Sequence, residues 1–451
     1  MLRATFQPTR AEEYRAARGA WDRPTLDERL TAVAPAELAT RVARLAGGLR
    51  ALGVRAGDAV TWQASNCDEV ALAYRACWRL GAVAAPVHHQ AGAEELARVV
   101  ERVEPRAVVD VSALPDGDPV DECWTEPEQL AALLWTSGSS GRPKGVLHTQ
   151  ATLAYKATVM ATVHGLDLDD CVLMPAPCAH ISGLLNGITL PGVVPFGAVF
   201  MARWDPEHAL ALIESERVTF MVGPPTFFRS MMDARGFAPA RVASLRLISS
   251  GGAGVSAAFV DEATERFGAR VKRTYGSTEA PTVITEGAAI AAAETRIAPD
   301  GELLVRGPEV CVGYLDPADN TDAFTADGWF RTGDRAAVTG TRIDIVGRVK
   351  DVVIRGGENI STAEVEAVLE AHPAVRHAVA VGYPDDLMGE RVAAFVEVDE
   401  PIDLDAVRAW FTTRGIARYK TPERLIVLDA LPLLPTGKPD RVALRRAVVP
   451  G

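Results

Sequence analysis

Cysteine is sparse in this sequence and follows no regular spacing. The chain has six cysteines in 451 residues and no Cys-x-x-Cys pair. A small secreted fold held by disulfides needs a denser and more regular set, so the pattern favours reduced thiols in the cytoplasm. Cys171, Cys178 and His180 lie near one another but match no zinc spacing, and we therefore predict no structural metal.

Positive charge is also in short supply. Lysine and arginine total 47 against 59 aspartates and glutamates, which gives a formal net charge of −12. A protein whose main partner is a nucleic acid needs a basic excess that neutralises phosphates and releases counterions. The charge therefore argues against nucleic-acid binding, whereas a bound mononucleotide needs only a local positive site.

Long uninterrupted hydrophobic runs are absent. Residues 1–21 mix charged and apolar side chains and lack the pattern of a signal peptide. Residues 181–202 carry no charge, but glycines and prolines interrupt them, which favours a buried core over a membrane span. We therefore expect a cytoplasmic protein with no membrane span. The sequence does not decide between a monomer and a homodimer.

A loop rich in glycine and hydroxyl residues stands directly after an apolar run. Small residues let backbone N–H groups crowd around phosphate oxygens, and hydroxyls and a lysine add donors and positive charge. Pro143 and Gly145 flank that lysine, so this is not the Gly-Lys-Ser/Thr ending of a Walker A loop. On its own, the loop is equally compatible with a flexible linker. Its residues are Thr136, Ser137, Gly138, Ser139, Ser140, Gly141, Arg142, Pro143 and Lys144.

Strand-forming apolar runs alternate with amphipathic helical stretches over much of residues 37–275. This alternation predicts crossover connections and a parallel sheet covered on both faces. After Gly301 short strands stand between turns, and the pattern Ser361-x-x-Glu364 predicts the start of a helix. We predict an α/β fold: a large N-terminal domain over residues 1–349, with mostly parallel sheets covered by helices, and a small α+β domain over residues 350–451.

Six further motifs follow the glycine-rich loop or close the chain. They are Thr-Tyr-Gly-Ser-Thr-Glu at 274–279, Gly-Tyr-Leu at 313–315, Asp-Gly-Trp-Phe-Arg-Thr-Gly-Asp at 327–334, Gly-Arg-Val-Lys-Asp at 347–351, Gly-Gly-Glu-Asn-Ile at 356–360 and Pro-Thr-Gly-Lys at 435–438. In this order and at this spacing, the chain resembles the adenylate-forming superfamily of acyl-CoA synthetases, luciferases and nonribosomal adenylation domains. The resemblance covers nearly the whole sequence.

The resemblance implies an ATP-dependent, AMP-forming carboxylate–CoA ligase. A carboxylate is a poor electrophile, so it attacks the α-phosphate of ATP, expels pyrophosphate and becomes an acyl adenylate, whose carbonyl a thiol can attack. Negative charge accumulates in the first step, which requires positioned cations and donors. The implied small molecules are ATP, Mg²⁺, coenzyme A and an apolar fatty, alicyclic or aromatic monocarboxylate.

By resemblance, the loop from Thr136 to Lys144 covers the β- and γ-phosphates. Glu279 is implied as the ligand of the catalytic Mg²⁺, with Thr278 beside it as a phosphate contact. Asp334 is implied to bind the ribose hydroxyls with help from Arg348. The implied neighbours of adenine and of the rest of the nucleotide are Tyr275, Gly276, Gly251, Gly252 and Ala253.

The implied acyl pocket is mostly apolar, which suits a monocarboxylate. His180 resembles the aromatic gate that this family places between the acyl pocket and the thiol channel. Thr274 stands where malonate-activating relatives have an arginine, which argues against a dicarboxylate. His88 and His89 match no motif, and we assign them no role. The predicted pocket residues are His180, Leu184, Phe227, Gly252, Thr274 and Gly276.

The C-terminal part carries the implied catalytic cation. Lys438 is predicted to offset charge at the α-phosphate and the carboxylate during adenylation. Lys350 resembles the family's hinge, about which the small mobile domain rotates so that Gly356 and Gly357 approach the pantetheine thiol. The setting of Lys438 also resembles that in synthetases switched off by lysine acetylation, which would remove this charge.

Three other functions stay open from the sequence alone. Gly252-Ala253-Gly254 imitates part of a dinucleotide-binding fingerprint, but Ala257 replaces the third glycine and no acid stands at the expected distance. An adenylating enzyme that loads a carrier protein is a closer alternative, although residues 176–183 lack an aspartate for an amino acid's ammonium and we expect no carrier domain after Gly451. The third is a non-catalytic binding protein, against which the joint presence of the four implied site residues argues. These four are Glu279, Asp334, Arg348 and Lys438.

Overall fold

The computed structural model describes residues 36–121, 125–136, 143–252, 254–349, 352–355, 358–385, 387–434 and 437–448. It divides into two compact units. The first unit comprises the described residues up to 252 together with 262–295 and 305–331, and the second comprises 254–261, 296–304 and the described residues from 332 onward. Because the units interleave in sequence, the single domain boundary expected at residues 349 and 350 stays a prediction.

The elements alternate along the first unit and become strand-rich in the second. The helices are α1 (Ala36–Ala51), α2 (Asp68–Arg79), α3 (Ala93–Val103), α4 (Gln150–His164), α5 (Ile181–Gly183), α6 (Leu190–Val193), α7 (Pro206–Ser215), α8 (Pro225–Met232), α9 (Ala257–Phe267), α10 (Thr362–Glu370), α11 (Leu404–Thr413) and α12 (Arg441–Val448). A π-helix, Leu184–Thr189, joins α5 to α6, and 3-10 turns lie at Val111–Ala113, Pro239–Val242, Pro317–Asn320 and Arg418–Lys420.

The strands are β1 (Ala59–Thr61), β2 (Gln63–Ala64), β3 (Val83–Ala84), β4 (Val87–His88), β5 (Ala107–Val108), β6 (Leu130–Thr136), β7 (Lys144–Thr149), β8 (Cys171–Met174), β9 (Gly197–Phe200), β10 (Phe220–Gly223), β11 (Leu247–Ser250), β12 (Arg270–Tyr275), β13 (Ile284–Thr285), β14 (Ala288–Ala289), β15 (Glu294–Ile297), β16 (Glu302–Arg306), β17 (Gly313–Tyr314), β18 (Phe330–Thr339), β19 (Arg342–Arg348), β20 (Val352–Arg355), β21 (Glu358–Ser361), β22 (Val375–Asp385), β23 (Gly389–Val398) and β24 (Arg424–Val427).

Local sequence explains where the main helices begin and end. Helix α4 starts at Thr149, whose side chain accepts a hydrogen bond from the backbone N–H of Thr152, while Thr152 reciprocates toward Thr149. The helix ends at Gly165, which adopts the left-handed conformation that favours glycine. Helix α2 has acidic residues in its first turn and Arg79 in its last, as the helix dipole favours.

The first sheet of the first unit has the order β17-β7-β6-β3-β1-β5. Strands β6, β3, β1 and β5 are parallel, but β7 runs antiparallel to β6, and β17 runs antiparallel to β7. The sequence did not predict β7, because Lys144 and Gly145 were assigned to the loop. A short connection can only return the chain antiparallel, since a parallel pair needs a long crossover.

The second sheet of the first unit has the order β14-β13-β12-β11-β10-β8-β9. Strands β12, β11, β10, β8 and β9 are parallel to one another, and helices connect most of them, whereas β13 runs antiparallel to β12. This confirms the α/β fold class and the crossover connections predicted from the alternating pattern. The loops at the carboxyl ends of these strands therefore share one edge of the sheet.

The second unit contains the β18–β19 hairpin and a mixed sheet with the order β21-β20-β23-β22, in which β24 runs parallel to β23. Helix α10 begins at Ser361, whose hydroxyl accepts from the backbone N–H of Glu364 at 3.3 Å, as the sequence predicts. The hydrophobic core of this unit includes Val365, Leu369 and Phe411.

Within the described part of the chain, no helix combines the length and the apolar character that a membrane crossing requires.

Candidate active site

The predicted acyl-pocket residues follow the carboxyl ends of four neighbouring parallel strands. His180 lies in the segment after β8, Phe227 in the helix after β10, Gly252 directly after β11, and Gly276 directly after β12. In open parallel sheets, ligands bind outside this edge. The topology thus brings these four residues to one edge of the sheet, although they are far apart in sequence.

Two glycines allow the backbone to pass closely at this edge. A Cβ atom at Gly251 would lie 2.5 Å from both the carbonyl oxygen and Oγ1 of Thr274, and one at Gly276 would lie 2.1 Å from the backbone nitrogen of Thr282. Thr274 Oγ1 also donates to the carbonyl of Ser250 at 3.1 Å. Gly251 therefore packs directly against the end of β12, and Gly276 packs against residues 280–282 of its own segment, which only residues without a side chain permit.

The apolar residues predicted for the pocket are held by neighbouring packing. Leu184 is fully buried at the start of the π-helix, and Phe227 stacks on Trp204 with ring centroids 4.3 Å apart. The indole N–H of Trp204 donates to Ser230 Oγ at 3.1 Å, which fixes the plane of the stack. Packing therefore fixes Leu184 in one place and the Phe227–Trp204 pair in another.

The β6–β7 hairpin supports the glycine-rich loop. Thr136 and Lys144 face each other in the antiparallel register at the end where β6 leads into the loop and β7 follows it, and Thr136 Oγ1 donates to the Lys144 carbonyl at 3.5 Å. The Lys144 ammonium lies 3.4 Å from Asp319 and 4.9 Å from the ring centroid of Tyr314. The lysine is therefore held by one carboxylate and one aromatic face.

Tyr314 connects this lysine to the predicted metal ligand. Its hydroxyl donates to Glu279 Oε1 at 2.8 Å. Burial, reinforced by the charge of Glu279, raises the pKa of Tyr314, so the phenol stays protonated and keeps its donor role. The position of Tyr314 follows from pairing with Val146 between β17 and β7.

The segment that carries Glu279 is also fixed through its backbone. His148 Nε2 lies 2.7 Å from the carbonyl of Thr278, and the N–H of Cys311 donates to the carbonyl of Glu279 at 2.7 Å. His148 is fully buried, and its Nδ1 lies 3.2 Å from Thr152 Oγ1. Three separate contacts, from Tyr314, Cys311 and His148, therefore determine where Thr278 and Glu279 lie.

These residues fit a magnesium ion that is bound mainly through phosphate oxygens. Among the described residues, no group of three or more histidines, cysteines, aspartates or glutamates could hold a metal by itself. Magnesium usually takes one or two carboxylates and completes its shell with water and substrate phosphates. Glu279 offers one such carboxylate, since only its Oε1 is bonded to Tyr314.

In the second unit, Asp334 and Arg348 lie opposite each other in the β18–β19 hairpin. Arg348 Nε is 3.2 Å from Asp334 Oδ1; the side chain of Asp334 is 12% exposed and that of Arg348 is 63% exposed. The Asp334 N–H donates to Thr332 Oγ1 at 3.0 Å, and the Gly333 N–H donates to Glu302 at 2.8 Å. The structure thus brings together the two residues predicted to bind ribose.

Lys438 lies in an exposed turn of the second unit. The Leu434 N–H donates to the Lys438 carbonyl at 2.7 Å, and the Gly437 N–H donates to the Leu434 carbonyl at 2.8 Å. Leu433 and Pro439 form an isolated antiparallel bridge at the base of this turn. The backbone of Lys438 is therefore paired with that of Leu434, next to this bridge.

Several predicted residues lie outside the described residues, so their roles stay predictions. They are Ser137, Gly138, Ser139, Ser140, Gly141, Ala253, Lys350, Gly356 and Gly357.

Sequence reasoning missed Tyr314, Asp319 and His148. The Gly-Tyr-Leu motif at 313–315 marked the position of Tyr314, but its partners are set by the β17–β7 register, which the sequence does not reveal. His148 belongs to the strand that was not predicted.

Comparison with known proteins shows the family to which this chain is related. A model of the AMP-binding enzyme family matches residues 13–315, and a model of the AMP-binding enzyme C-terminal domain matches residues 364–438. The chain is similar to a feruloyl-CoA synthase of Amycolatopsis sp, with 33% identity over 92% of this chain and 94% of the relative. It is 29% identical to the medium-chain fatty-acid–CoA ligase of Escherichia coli (strain K12), over 90% of this chain and 84% of the relative.

A salicyl-AMP ligase / salicyl-S-ArCP synthetase of Mycobacterium tuberculosis is 30% identical over 98% of this chain and 94% of the relative. Among solved structures, ATP-bound MatB from Rhodopseudomonas palustris superimposes with a TM-score of 0.84 and 27% identity, covering 91% of this chain and 93% of that one. Each of these similarities therefore covers most of this chain and most of the protein that it matches.

Proposed function

Because this chain belongs to the AMP-binding enzyme family, we propose that it activates an apolar monocarboxylate with ATP, releases pyrophosphate and transfers the acyl group to coenzyme A. The chain is an AMP-forming acid–thiol ligase by its family and by the relatives that it matches along their length. The acid itself and coenzyme A as the acceptor are the proposed part.

One observation carries the proposal. Tyr314 lies beneath the Lys144 ammonium and donates to Glu279, so a phosphate-binding cation and a metal-binding carboxylate are fixed on one side chain. Adenylation needs cations on both sides of the departing pyrophosphate, because negative charge develops there. A binding protein without this reaction would have no need for such a rigid link between the two groups.

In the adenylation step, a carboxylate oxygen of the acid bonds to the α-phosphorus while the bond from that phosphorus to pyrophosphate breaks. Thr136 and Lys144 hold the β- and γ-phosphates, and Thr278 adds a phosphate contact. Glu279 holds Mg²⁺, which would neutralise charge on the phosphate oxygens when bound. The remaining cation is Lys438, which offsets charge at the reacting centre.

Asp334 accepts hydrogen bonds from the ribose hydroxyls in this proposal, with Arg348 holding the carboxylate in place. Tyr275, Gly251, Gly252 and Gly276 border the adenine and the acyl group.

In the second step, the thiol sulfur bonds to the carbonyl carbon of the acyl adenylate, and the bond from that carbon to the phosphate oxygen breaks, so AMP leaves. His180 separates the acyl pocket from the path of the thiol. Its loop is held by the N–H of His180, which donates to the Pro177 carbonyl at 3.0 Å. Lys350, Gly356 and Gly357 belong to this step by the family resemblance.

The apolar character of Leu184, Phe227 and Trp204 supports a fatty, alicyclic or aromatic acid. The names of two relatives, a feruloyl-CoA synthase and a medium-chain fatty-acid–CoA ligase, fall within these classes. Thr274 adds no positive charge that would favour a second carboxylate.

A screen of pyrophosphate release across carboxylic acids, with and without coenzyme A, tests the proposal. We expect release with apolar monocarboxylates and ATP alone, and thioester formation after coenzyme A is added. Release that requires an amino acid, or no release with any acid, would contradict the proposal.

A carrier-protein acceptor is the second candidate, and the similarity to a salicyl-AMP ligase / salicyl-S-ArCP synthetase favours it. The two candidates differ only in the second step. Transfer of a radiolabelled acyl group to a phosphopantetheinylated carrier protein, with no transfer to coenzyme A, would select the carrier.

A further inference from the structure

Two loops that are distant in sequence are both anchored by one short segment, Gln63 to Asn66. The side-chain amide of Gln63 donates to the carbonyl oxygens of His88 at 3.1 Å, His89 at 3.5 Å and Ala91 at 2.7 Å. We call residues 88–91 the histidine turn. Because one amide group bonds three carbonyls, the backbone of this turn is held in one conformation.

Asn66 fixes the loop that leads to His180. Its amide nitrogen donates to the carbonyls of Met174 at 3.2 Å and Ala176 at 2.8 Å, and its oxygen accepts from the N–H of Cys178 at 2.7 Å. Asn66 is 7% exposed, so these bonds are shielded from water. Both loops are therefore built to hold their side chains in place.

Between the two loops, three imidazole rings lie side by side. The ring centroids of His88 and His89 are 4.4 Å apart, and those of His88 and His180 are 5.2 Å apart, with planes tilted by 32° and 34°. These rings do not form a metal site, since none was found among the residues that the structure describes. His88 is thus the direct neighbour of the residue assigned to the gate of the acyl pocket.

The hydrogen bonding of His88 fixes which ring nitrogen carries the proton. The backbone N–H of Gln90 donates to His88 Nδ1 at 3.1 Å, so Nδ1 is the acceptor. Burial, reinforced by the charge of His89, lowers the pKa of His88 to about 4, so the ring is neutral near pH 7. The proton of the neutral ring therefore lies on Nε2.

The Nε2–H group of His88 has no hydrogen-bond acceptor among the described residues. The nitrogen is buried, and no hydrogen-bond partner for it exists among the residues that the structure describes. A buried donor without an acceptor is unfavourable, and native proteins rarely keep one without a reason. The ring that carries this donor lies next to the ring of His180, whose carbonyl accepts from the N–H of Leu184 at 3.0 Å.

We propose that His88 Nε2–H donates a hydrogen bond to an oxygen atom in the body of the acyl group, so that the preferred substrates are oxygenated apolar acids with a keto, ether, methoxy or hydroxyl oxygen away from the carboxylate. This inference rests on the proposed function, since it assigns His88 to the same acyl pocket. The amides of pantetheine also carry acceptor oxygens, and the experiment below separates the two sources.

The test compares acids in which a CH₂ group is replaced by oxygen. The probes are octanoate against its 5-oxa and 7-oxa analogues, and 4-ethylcinnamate against 4-methoxycinnamate. Pyrophosphate release without coenzyme A gives kcat/KM, and calorimetry gives binding of the same acids without turnover. We expect at least one oxygenated acid to be favoured about tenfold over its partner, because an unpaired buried donor rejects the analogue that lacks the acceptor.

Three variants separate the effect of the N–H donor of His88 from the effect of its aromatic ring. His88→Phe keeps an aromatic ring without the donor and should abolish the preference for oxygen. His88→Gln keeps an N–H donor and should restore part of it, which also guards against a folding defect in the first variant. His89→Phe changes the neighbouring ring and should leave the preference unchanged.

Three outcomes would overturn the inference. The first is an absence of preference for any oxygenated acid in both binding and turnover. The second is a preference that survives in His88→Phe. The third is an effect of His88→Phe confined to the KM for coenzyme A, which would move the acceptor to pantetheine. Preferential binding without pyrophosphate release would instead support His88 and contradict the proposed ligase reaction.

Discussion

The surroundings of Glu279 and those of Lys438 differ sharply, although both residues are assigned to the same reaction. Glu279 is bonded to the buried Tyr314, and its segment is held by His148 and Cys311. Lys438 is exposed, and its backbone is hydrogen-bonded within one short turn. The metal-binding side is therefore fixed by buried contacts between distant strands, whereas the lysine side chain lies at the surface.

This difference leads to distinct expectations for substitution. A change near Glu279 should affect both stability and activity, because the same contacts serve packing and position. A change at Lys438 should affect activity alone. Four experiments test the contrast.

The largest effect is expected for Lys438→Ala. Removing one positioned stabiliser of developing charge commonly lowers the rate by ~10²–10³-fold. Pyrophosphate release should fall by this amount, thioester formation from a supplied acyl adenylate should persist, and the melting temperature should stay unchanged because the side chain is exposed. The exposed Arg446→Ala serves as the control and should leave both half-reactions intact. Equal losses in the two half-reactions would remove Lys438 from the adenylation step.

Tyr314→Phe should cost less activity but also some stability. A hydrogen bond to a charged group contributes about 1.5–3 kcal/mol, so losing the bond to Glu279 should lower adenylation about tenfold or more. The Mg²⁺ concentration needed for half-maximal rate should rise, and the KM for the acid should not change. Tyr383→Phe, in the second unit, is the matched control. A rate loss without any change in Mg²⁺ dependence would contradict a role in placing Glu279.

His164 should make the first unit sensitive to acid. Burial, together with Lys272, Lys156 and Arg246, lowers the pKa of His164 to about 3, and neither ring nitrogen has a hydrogen-bond partner among the described residues. Between pH 6.5 and 3 the unfolded chain binds this proton and the folded chain does not. The free energy of unfolding should therefore fall by about 1.4 kcal/mol per pH unit as pH drops through this window.

The measurement is calorimetric unfolding across that pH range. His164→Leu should remove this part of the slope and leave the slope from other groups. An identical pH dependence in the variant and the parent would show that His164 does not carry it.

The smallest effect is expected for Arg348→Gln. The arginine is 63% exposed, and ion pairs at the surface contribute about 0.2–1 kcal/mol. The KM for ATP should rise about two- to fivefold with little change in kcat, because Asp334 keeps its backbone support. A loss as large as that of Lys438→Ala would mean that Arg348 acts on the reacting atoms.

Much of the fold and part of the site could be predicted from sequence because both depend on local patterns. The alternation of strands and helices led correctly to the parallel strands β8 to β12, and the serine at 361 correctly marked the start of α10. Asp334 and Arg348 were predicted to act together, and the hairpin places them in contact.

What could not be predicted depends on contacts between distant strands. The antiparallel β7 was missed because glycine and lysine at its start are typical of loops. Without this strand, the register that places Tyr314 beside Lys144 could not be predicted either. His88 and His89 carried no motif, and His88 meets His180 through packing between strands of two different sheets. No local sequence pattern encodes such contacts between residues that are distant in sequence.

The anchoring of two loops by Gln63 and Asn66 has a consequence for redesign. If residues 88–91 or the 174–180 loop were replaced by those of another ligase, the side-chain amides of Gln63 and Asn66 would lose the carbonyl acceptors to which they now donate. Exchange of acyl preference between homologues should therefore succeed when residues 63–66, 88–91 and 174–180 are all exchanged together, and fail when either loop is exchanged alone.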